Sequence, residues 1–271
     1  MNNETTEINT TIQKKVVAVC GKGGVGKTAF TAMMTKVLLE SEKAGKLLVI
    51  DADPALGLPN TLGITVERTM GQVRESIIDT ARHGTGEDKS EIASKIDYMV
   101  LEALVETDNF ALLAMGRTET KGCFCPVNNI LRESITILSN MFDTIVIDGE
   151  AGLEQINRQV VSHVDILFIL TDTSSRGRQT VEHIKKLVVD EHVIDCRKIG
   201  VVFNRVQGGE ALLLQSVKNI GIDVFGFIPQ DENIASYDMV GKPLSNLPSQ
   251  SPALSAVQSI VEKCVLTESN F

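Results

Sequence analysis

The sequence predicts an α/β fold with a mostly parallel central sheet of about seven or eight strands and helices on both faces. Three observations predict it. Short aliphatic and β-branched runs alternate along the chain with stretches of helical apolar spacing. The short runs are nearly continuous in hydrophobicity, which marks strands buried on both faces and hence a parallel sheet covered by helices. A glycine-rich turn joins the first run to the first helical stretch.

Val16–Cys20 is the first strand candidate, and Lys27 to Lys43 follows as a helix with Phe30, Met33, Met34, Val37 and Leu38 on one side. Leu47–Ile50 is the second strand and runs into Asp51. Arg68 to Asp108 reads as a charged helical excursion over the sheet, with the ambiguous apolar run Tyr98–Leu104 inside it. Strand candidates then recur at Phe110–Met115, Thr144–Ile147, Ile166–Leu170, Ile199–Phe203 and Val224–Ile228. Val127–Phe142 and Gln179–Val189 are helical between them. No repeat or Pro/Gly linker splits the chain, so residues 15–271 are expected to form one domain behind a polar tail, residues 1–14.

Composition narrows the function. Of 271 residues, 43% are hydrophobic and 23% charged, which excludes a disordered chain. Aromatics are 4% with no Trp, too few for a base-stacking platform. A net charge of −9 argues against coating DNA or an anionic membrane. No apolar run reaches the roughly eighteen residues of a membrane span, and the polar N-terminus lacks the apolar region of a signal peptide. Five cysteines, an odd number without framework spacing, suggest free thiols in a reducing cytoplasm.

Gly21-Lys22-Gly23-Gly24-Val25-Gly26-Lys27-Thr28 satisfies the phosphate-loop pattern G-x-x-x-x-G-K-[ST] between a strand and a helix. Its glycines let backbone N–H groups converge on phosphate oxygens at a helix N-terminus. Lys27 is expected to reach the β- and γ-phosphates, and the Thr28 hydroxyl to meet Mg²⁺. Asp51-Ala52-Asp53-Pro54 and Asp148-Gly149-Glu150 also follow strands. Ligands of open α/β sheets sit at the carboxyl ends of strands, so all three segments should meet at one edge. Such an acid can hold Mg²⁺ through water.

Lys-Gly-Gly-Val-Gly-Lys-Thr, residues 22–28, resembles the deviant Walker A motif of the MinD/NifH/ParA-type ATPases. The resemblance implies that Lys22 crosses a homodimer interface to the partner's nucleotide. It implies that Asp148 holds Mg²⁺ through water, that Asp53 in switch I positions the attacking water, and that Asp51 supports the metal shell. After the strand Ile199–Phe203, Asn204-Arg205-Val206-Gln207 lacks the closing Asp of a guanine-binding Asn-Lys-x-Asp. The resemblance therefore implies ATP/ADP, with Asn204 and the adjacent Arg205 at the adenine and the Pro229-Gln230-Asp231 turn against the base.

Cys123-Phe124-Cys125 offers two thiolates one residue apart. On spacing alone they are either incidental cysteines or half of a tetrahedral zinc or flatter nickel site that a two-fold dimer would complete. Gly116-Arg117, the Cys-x-Cys, Asn129-Ile130-Leu131-Arg132 and Glu150-Ala151-Gly152-Leu153-Glu154 together resemble the nickel-maturation ATPases of carbon monoxide dehydrogenase and acetyl-CoA synthase, the CooC/AcsF type. Gly149 departs from that pattern. This resemblance implies a cytoplasmic homodimeric ATPase of slow turnover, with Zn²⁺ or Ni²⁺ on Cys123 and Cys125, that serves a nickel-enzyme client and binds neither nucleic acid nor membrane. Two alternatives stand beside it: a MinD/ParA-like spatial regulator and a NifH-like iron–sulfur electron-transfer ATPase. Against a membrane-bound regulator, the segment from Ala253 to Phe271 holds one lysine, Lys263. Against the second, its family spaces its cysteines far more widely. Cys20, Cys196, Cys264 and the four histidines are given no metal role.

Overall fold

Lys15–Gly21 (β1) lies inside an eight-stranded sheet of order β3-β4-β2-β5-β1-β6-β7-β8 in the computed structural model, which describes residues 14–117, 125–150, 161 and 163–267. The other strands are β2 (Leu47–Asp51), β3 (Leu104–Glu106), β4 (Ala111–Ala114), β5 (Thr144–Asp148), β6 (His163–Thr171), β7 (Asp195–Val206) and β8 (Asp223–Pro229). All neighbours are parallel except β3, which runs antiparallel to β4. The expected single-domain α/β architecture is therefore present. From β1 the chain crosses to β2 on one side and later returns to β6 on the other. That reversal opens a crevice at the carboxyl end of β1.

Alternate residues of each strand enter two separate cores, which is why the strands read as continuous hydrophobic runs. Val16, Ala18 and Cys20 of β1 pack with α3 (Met70–His83), α4 (Gly86–Glu102), α5 (Cys125–Ser139), α6 (Ser175–Lys185) and α7 (Glu210–Lys218). Val17 and Val19 face α1 (Lys27–Glu40), α2 (Gly57–Leu62) and α9 (Pro252–Val261). The short α8 (Glu232–Met239) follows β8. On the α1 side, Phe168 is fully buried and meets the edges of Phe30 and Phe225 at centroid distances of 5.4 and 5.3 Å. Phe168→Ala is expected to cost about 3–5 kcal/mol of stability by removing the middle ring of this row. A denaturant titration measures it.

The excursion from Arg68 to Asp108 resolves into two helices and an edge strand. Thr69 caps α3 and Thr85 caps α4, each in a reciprocal capping box with Gln72 and Asp88. The ambiguous run Tyr98–Leu104 divides between the last turn of α4 and the first residue of β3. At the other end, α9 buries Ala253, Leu254, Val257, Ile260 and Val261 against the sheet-side core. Among the described residues, no helix is long and apolar enough to cross a membrane.

Candidate nucleotide-binding site

The phosphate loop leaves β1 at Gly21 and enters α1 at Lys27. Gly26 is the N-cap at φ 92°, and a Cβ there would lie 2.7 Å from Asn204 Nδ2. Only glycine suits both that backbone conformation and that approach. Gly23 and Gly24 have no heavy atom within 4 Å of a built Cβ, so the loop's open side is free for a ligand. Lys27 is buried, with Nζ 3.4 Å from the Lys22 carbonyl of its own loop. Thr28 is half-buried.

Strand register brings the two expected acids together. Asp148 on β5 pairs with Val19 of β1 on one side and with Asp51 of β2 on the other. Both carboxyls are buried. Burial pushes Asp148 up to about 7, the nearby Asp51 adds to the rise, and the Thr28 and Thr31 hydroxyls and Lys27 oppose it. Burial likewise pushes Asp51 up to about 6, against the N–H groups of Asp53 and Leu58. Asp51 Oδ1 accepts from Asp53 N at 3.0 Å and Oδ2 from Leu58 N at 3.1 Å, so this side chain fastens the turn that carries Asp53. Asp53 itself is half-buried at the mouth of the site.

Asp148 Oδ2 is buried and has no hydrogen-bond partner among the described residues. A buried carboxylate oxygen without a donor, one strand from the phosphate loop, is costly unless a cation or its water completes it. The residues present thus fit a hydrated divalent ion carried by a nucleotide.

The strand ends are also laced by main-chain hydrogen bonds. Gly149 N donates to Val19 O (2.9 Å), Ala52 N to Asp148 O (2.9 Å), Met115 N to Asp51 O (2.8 Å) and Gly71 N to Met115 O (2.8 Å).

On the base side, Asn204 Nδ2 donates to Val25 O at 2.8 Å and its Oδ1 accepts from Arg205 N at 2.9 Å. One amide hydrogen and one lone pair of Asn204 are left for a base. Arg205 is exposed at φ 57° beside the phosphate loop. Pro229 ends β8. Asp231 caps helices: Oδ1 accepts from Asn233 N at 2.9 Å, and Oδ2 from Ser251 Oγ at 2.6 Å and Ala253 N at 3.2 Å.

Two further residues belong to the site. Lys22 Nζ is paired with Asp172 Oδ2 at 2.8 Å, with both side chains about one-third exposed. Partial burial works against ionising Asp172, but Lys22 and Ser174 outweigh it and hold the carboxyl below its usual range. Thr31, fully buried on α1, places its hydroxyl 3.2 Å from Asp148 Oδ1. The strand-end position of Asp172 was visible in sequence; its pairing across 150 residues was not.

Cys123 lies outside the described residues. Cys125 is the first residue of α5, and its side chain is also outside them. The segment following Glu150 through Glu154 lies outside as well.

Fold and site together define a P-loop ATPase, which binds ATP and ADP with Mg²⁺ and hydrolyses ATP. The chain belongs to the CobQ/CobB/MinD/ParA nucleotide binding domain family, whose description matches residues 16–244. It is 42% identical to an uncharacterized ATP-binding protein of Methanocaldococcus jannaschii, over 92% of this chain and 98% of that one. It is 29% identical to the carbon monoxide dehydrogenase accessory protein CooC of Rhodospirillum rubrum, over 83% of this chain and 87% of that one. Among solved structures, MinD of Pyrococcus horikoshii complexed with Mg-ADP superposes with a TM-score of 0.66 at 20% identity, covering 93% of this chain and 96% of that one.

These findings correct the narrower expectation of a nickel-maturation ATPase. At 29% identity the likeness to CooC stands only somewhat above that to septum-site MinD proteins, at 24–28%, and the solved neighbours include ParA and MinD proteins. Among the described residues, no group of three or more His, Cys, Asp or Glu could hold a metal ion. Cys123 and the Cys125 side chain lie outside those residues, and the shared Zn²⁺ or Ni²⁺ site is withdrawn on the comparisons, which place the chain in the general nucleotide-binding family. So are the nickel-enzyme client and the exclusion of nucleic acid. The neighbours of this fold include a MinD solved in complex with MinC and a putative plasmid partition protein of Borrelia burgdorferi. The physical reason is plain: two thiolates supply half of a closed site, and a short motif on a shared scaffold does not fix a client.

Proposed function

We propose that the chain is an ATP-driven switch of the MinD/ParA kind, in which nucleotide state governs engagement of a partner protein. The observation that carries this reading is the ion pair between Lys22 and Asp172 at the rim of the phosphate loop. Lys22 is the extra lysine of the motif, and its ammonium is paired with a carboxylate of its own chain. A γ-phosphate carries more charge than Asp172 and draws Lys22 away, so triphosphate binding exchanges an internal contact for one at the nucleotide.

The remaining residues take roles around this exchange. Gly21, Gly23, Gly24, Val25 and Gly26 supply the loop backbone, Lys27 meets the β- and γ-phosphates, and Thr28 and Asp148 face Mg²⁺. Bound Mg²⁺ neutralises phosphate charge as the terminal phosphoryl group departs. Asp53 orients the attacking water, and Asp51 holds the Asp53 turn. Asn204, Arg205 and Pro229 border the base.

The Lys22–Asp172 pair is partly exposed, so breaking it costs little, about 0.2–1 kcal/mol. Asp172→Ala is accordingly expected to tighten ATP binding by no more than about fivefold, with ADP affinity unchanged. Lys22→Ala should keep ADP binding and lose ATP hydrolysis. Calorimetric titrations with both nucleotides test the pair, and light scattering under ATP tells whether the phosphates that Lys22 meets belong to its own chain or to a second copy. Wild-type hydrolysis by Lys22→Ala would leave that lysine a surface residue and remove the basis of the switch.

A further inference from the structure

We infer that Thr31 is a positioning residue for Mg²⁺: its hydroxyl holds one oxygen of Asp148 so that the other is presented to the metal's hydration shell. The inference rests on the reading of Asp148 as the metal-facing acid and adds to it a residue outside the phosphate-loop pattern.

Thr31 lies one helical turn beyond Lys27 on α1 and has no solvent exposure. Its Oγ1 is 3.0 Å from Lys27 O and 3.2 Å from Asp148 Oδ1. A hydroxyl has a single proton to give, and these are two acceptors. Donation to the carboxylate is the stronger of the two once a cation at the site keeps Asp148 ionised. The contact joins α1 to β5 across 117 residues, so it fixes the acid relative to the helix that carries the phosphate loop.

The two oxygens of Asp148 are consequently unlike. Oδ1 has the Thr31 hydroxyl at hydrogen-bond distance, the Thr28 hydroxyl also bears on this carboxyl, and Oδ2 is buried without a hydrogen-bond partner among the described residues. A carboxyl free to rotate would spread that deficit over both oxygens. Anchoring one of them aims the other. Partners that orient a metal-facing carboxylate in this way commonly govern metal affinity by about 10- to 100-fold.

A threonine in a helix often back-bonds to the carbonyl four residues earlier, and the 3.0 Å approach to Lys27 O is that contact. A purely structural Thr31 would satisfy its own buried hydroxyl and no more. The two roles separate in the Mg²⁺-dependent part of nucleotide binding, which a structural role leaves alone.

The test is calorimetric titration of ADP into the full chain, once with excess EDTA and once with Mg²⁺, for wild type, Thr31→Val, Thr31→Ser and Asp148→Asn. Valine keeps the shape of threonine without the hydroxyl, and circular dichroism verifies that each variant is folded. The expected result is unchanged affinity in EDTA, and a gain on adding Mg²⁺ that is about tenfold smaller for Thr31→Val. The gain should return in Thr31→Ser and vanish in Asp148→Asn. A wild-type gain in Thr31→Val, beside a lost gain in Asp148→Asn, overturns the role of Thr31 alone. A wild-type gain in Asp148→Asn overturns the metal-facing assignment of Asp148 and the inference built on it. Should Thr31→Val not fold, Thr31→Ala carries the test through Mn²⁺ in place of Mg²⁺, with free Mn²⁺ counted by electron paramagnetic resonance in the presence of ADP. A Mn²⁺ affinity about tenfold below wild type supports the inference, and wild-type Mn²⁺ affinity overturns it.

Discussion

Asp53→Ala is expected to bind ATP as the wild-type protein does and to hydrolyse it about a hundred- to a thousandfold more slowly. The expectation follows from how the turn after β2 is built. Asp51 holds the Asp53 amide at 3.0 Å and the Leu58 amide at 3.1 Å. The Asp53 carbonyl accepts from Leu56 N at 3.1 Å. The turn therefore keeps its course by main-chain bonds and by the Asp51 carboxylate, whatever side chain residue 53 carries. Asp53 Oδ1 caps Ala55 N at 2.9 Å, a local contact whose loss costs the loop little. The phosphate loop is a separate element on β1 and α1 and is untouched. A variant that binds ATP and leaves it intact would show that binding and water activation are divided between two strand ends. Steady-state phosphate release under saturating ATP measures the rate, and wild-type turnover would move the water-orienting role to another residue.

Lys27→Ala should lose nucleotide affinity itself, by roughly a hundredfold or more, since about 1.5–3 kcal/mol attaches to each hydrogen bond to a charged group and this ammonium has several to give. Lys27 is buried, and its charge also lowers the pKa of Asp148. Removing it leaves two buried carboxyls, Asp51 and Asp148, with less positive charge around them. The variant is thus expected to repel phosphate as well as fail to attract it. Lys27→Arg should not restore binding, because a planar fork on a longer stem does not reproduce a compact ammonium inside the loop. Titration of a fluorescent ADP analogue measures the loss. Retention of wild-type affinity by Lys27→Ala would disqualify the loop as the phosphate cradle.

Much of this was legible because it is local. The strand–glycine–helix order of residues 16–28 contains its own context, and β-branched runs buried on two faces need no partner to be recognised. Thr69 with Gln72 and Thr85 with Asp88 were equally local signals for the starts of α3 and α4. In a segment dominated by charge, these signals stand out little from their neighbours. The edge strand β3 has only three residues and no fully buried face, so periodicity could not mark it. What sequence could not give is pairing at a distance: Lys22 with Asp172, Thr31 with Asp148, Asp231 with Ser251. Asp231 joins two helix starts, a role that its local sequence does not announce. The Cys-Phe-Cys reading failed differently. Four short segments, Gly116-Arg117, Cys-Phe-Cys, Asn129–Arg132 and Glu150–Glu154, resemble one family, while the match over residues 16–244 is to the whole nucleotide-binding group.

The row of main-chain bonds from Val19 through Asp148, Asp51 and Met115 to Gly71 has a mechanical meaning. It makes the carboxyl rim of the sheet a crossbar with no slack. At Gly71 even a methyl group would come within 2.2 Å of the Arg117 carbonyl, so the first turn of α3 rides directly on the end of β4. Arg74, one turn further on, donates to Asn128 of α5 at 2.8 Å. A carbonyl displaced at Asp51 must carry the Met115 amide and, through it, α3 and its neighbour α5. The outer surface of these helices takes its position from the rim that carries Asp51 and Asp148.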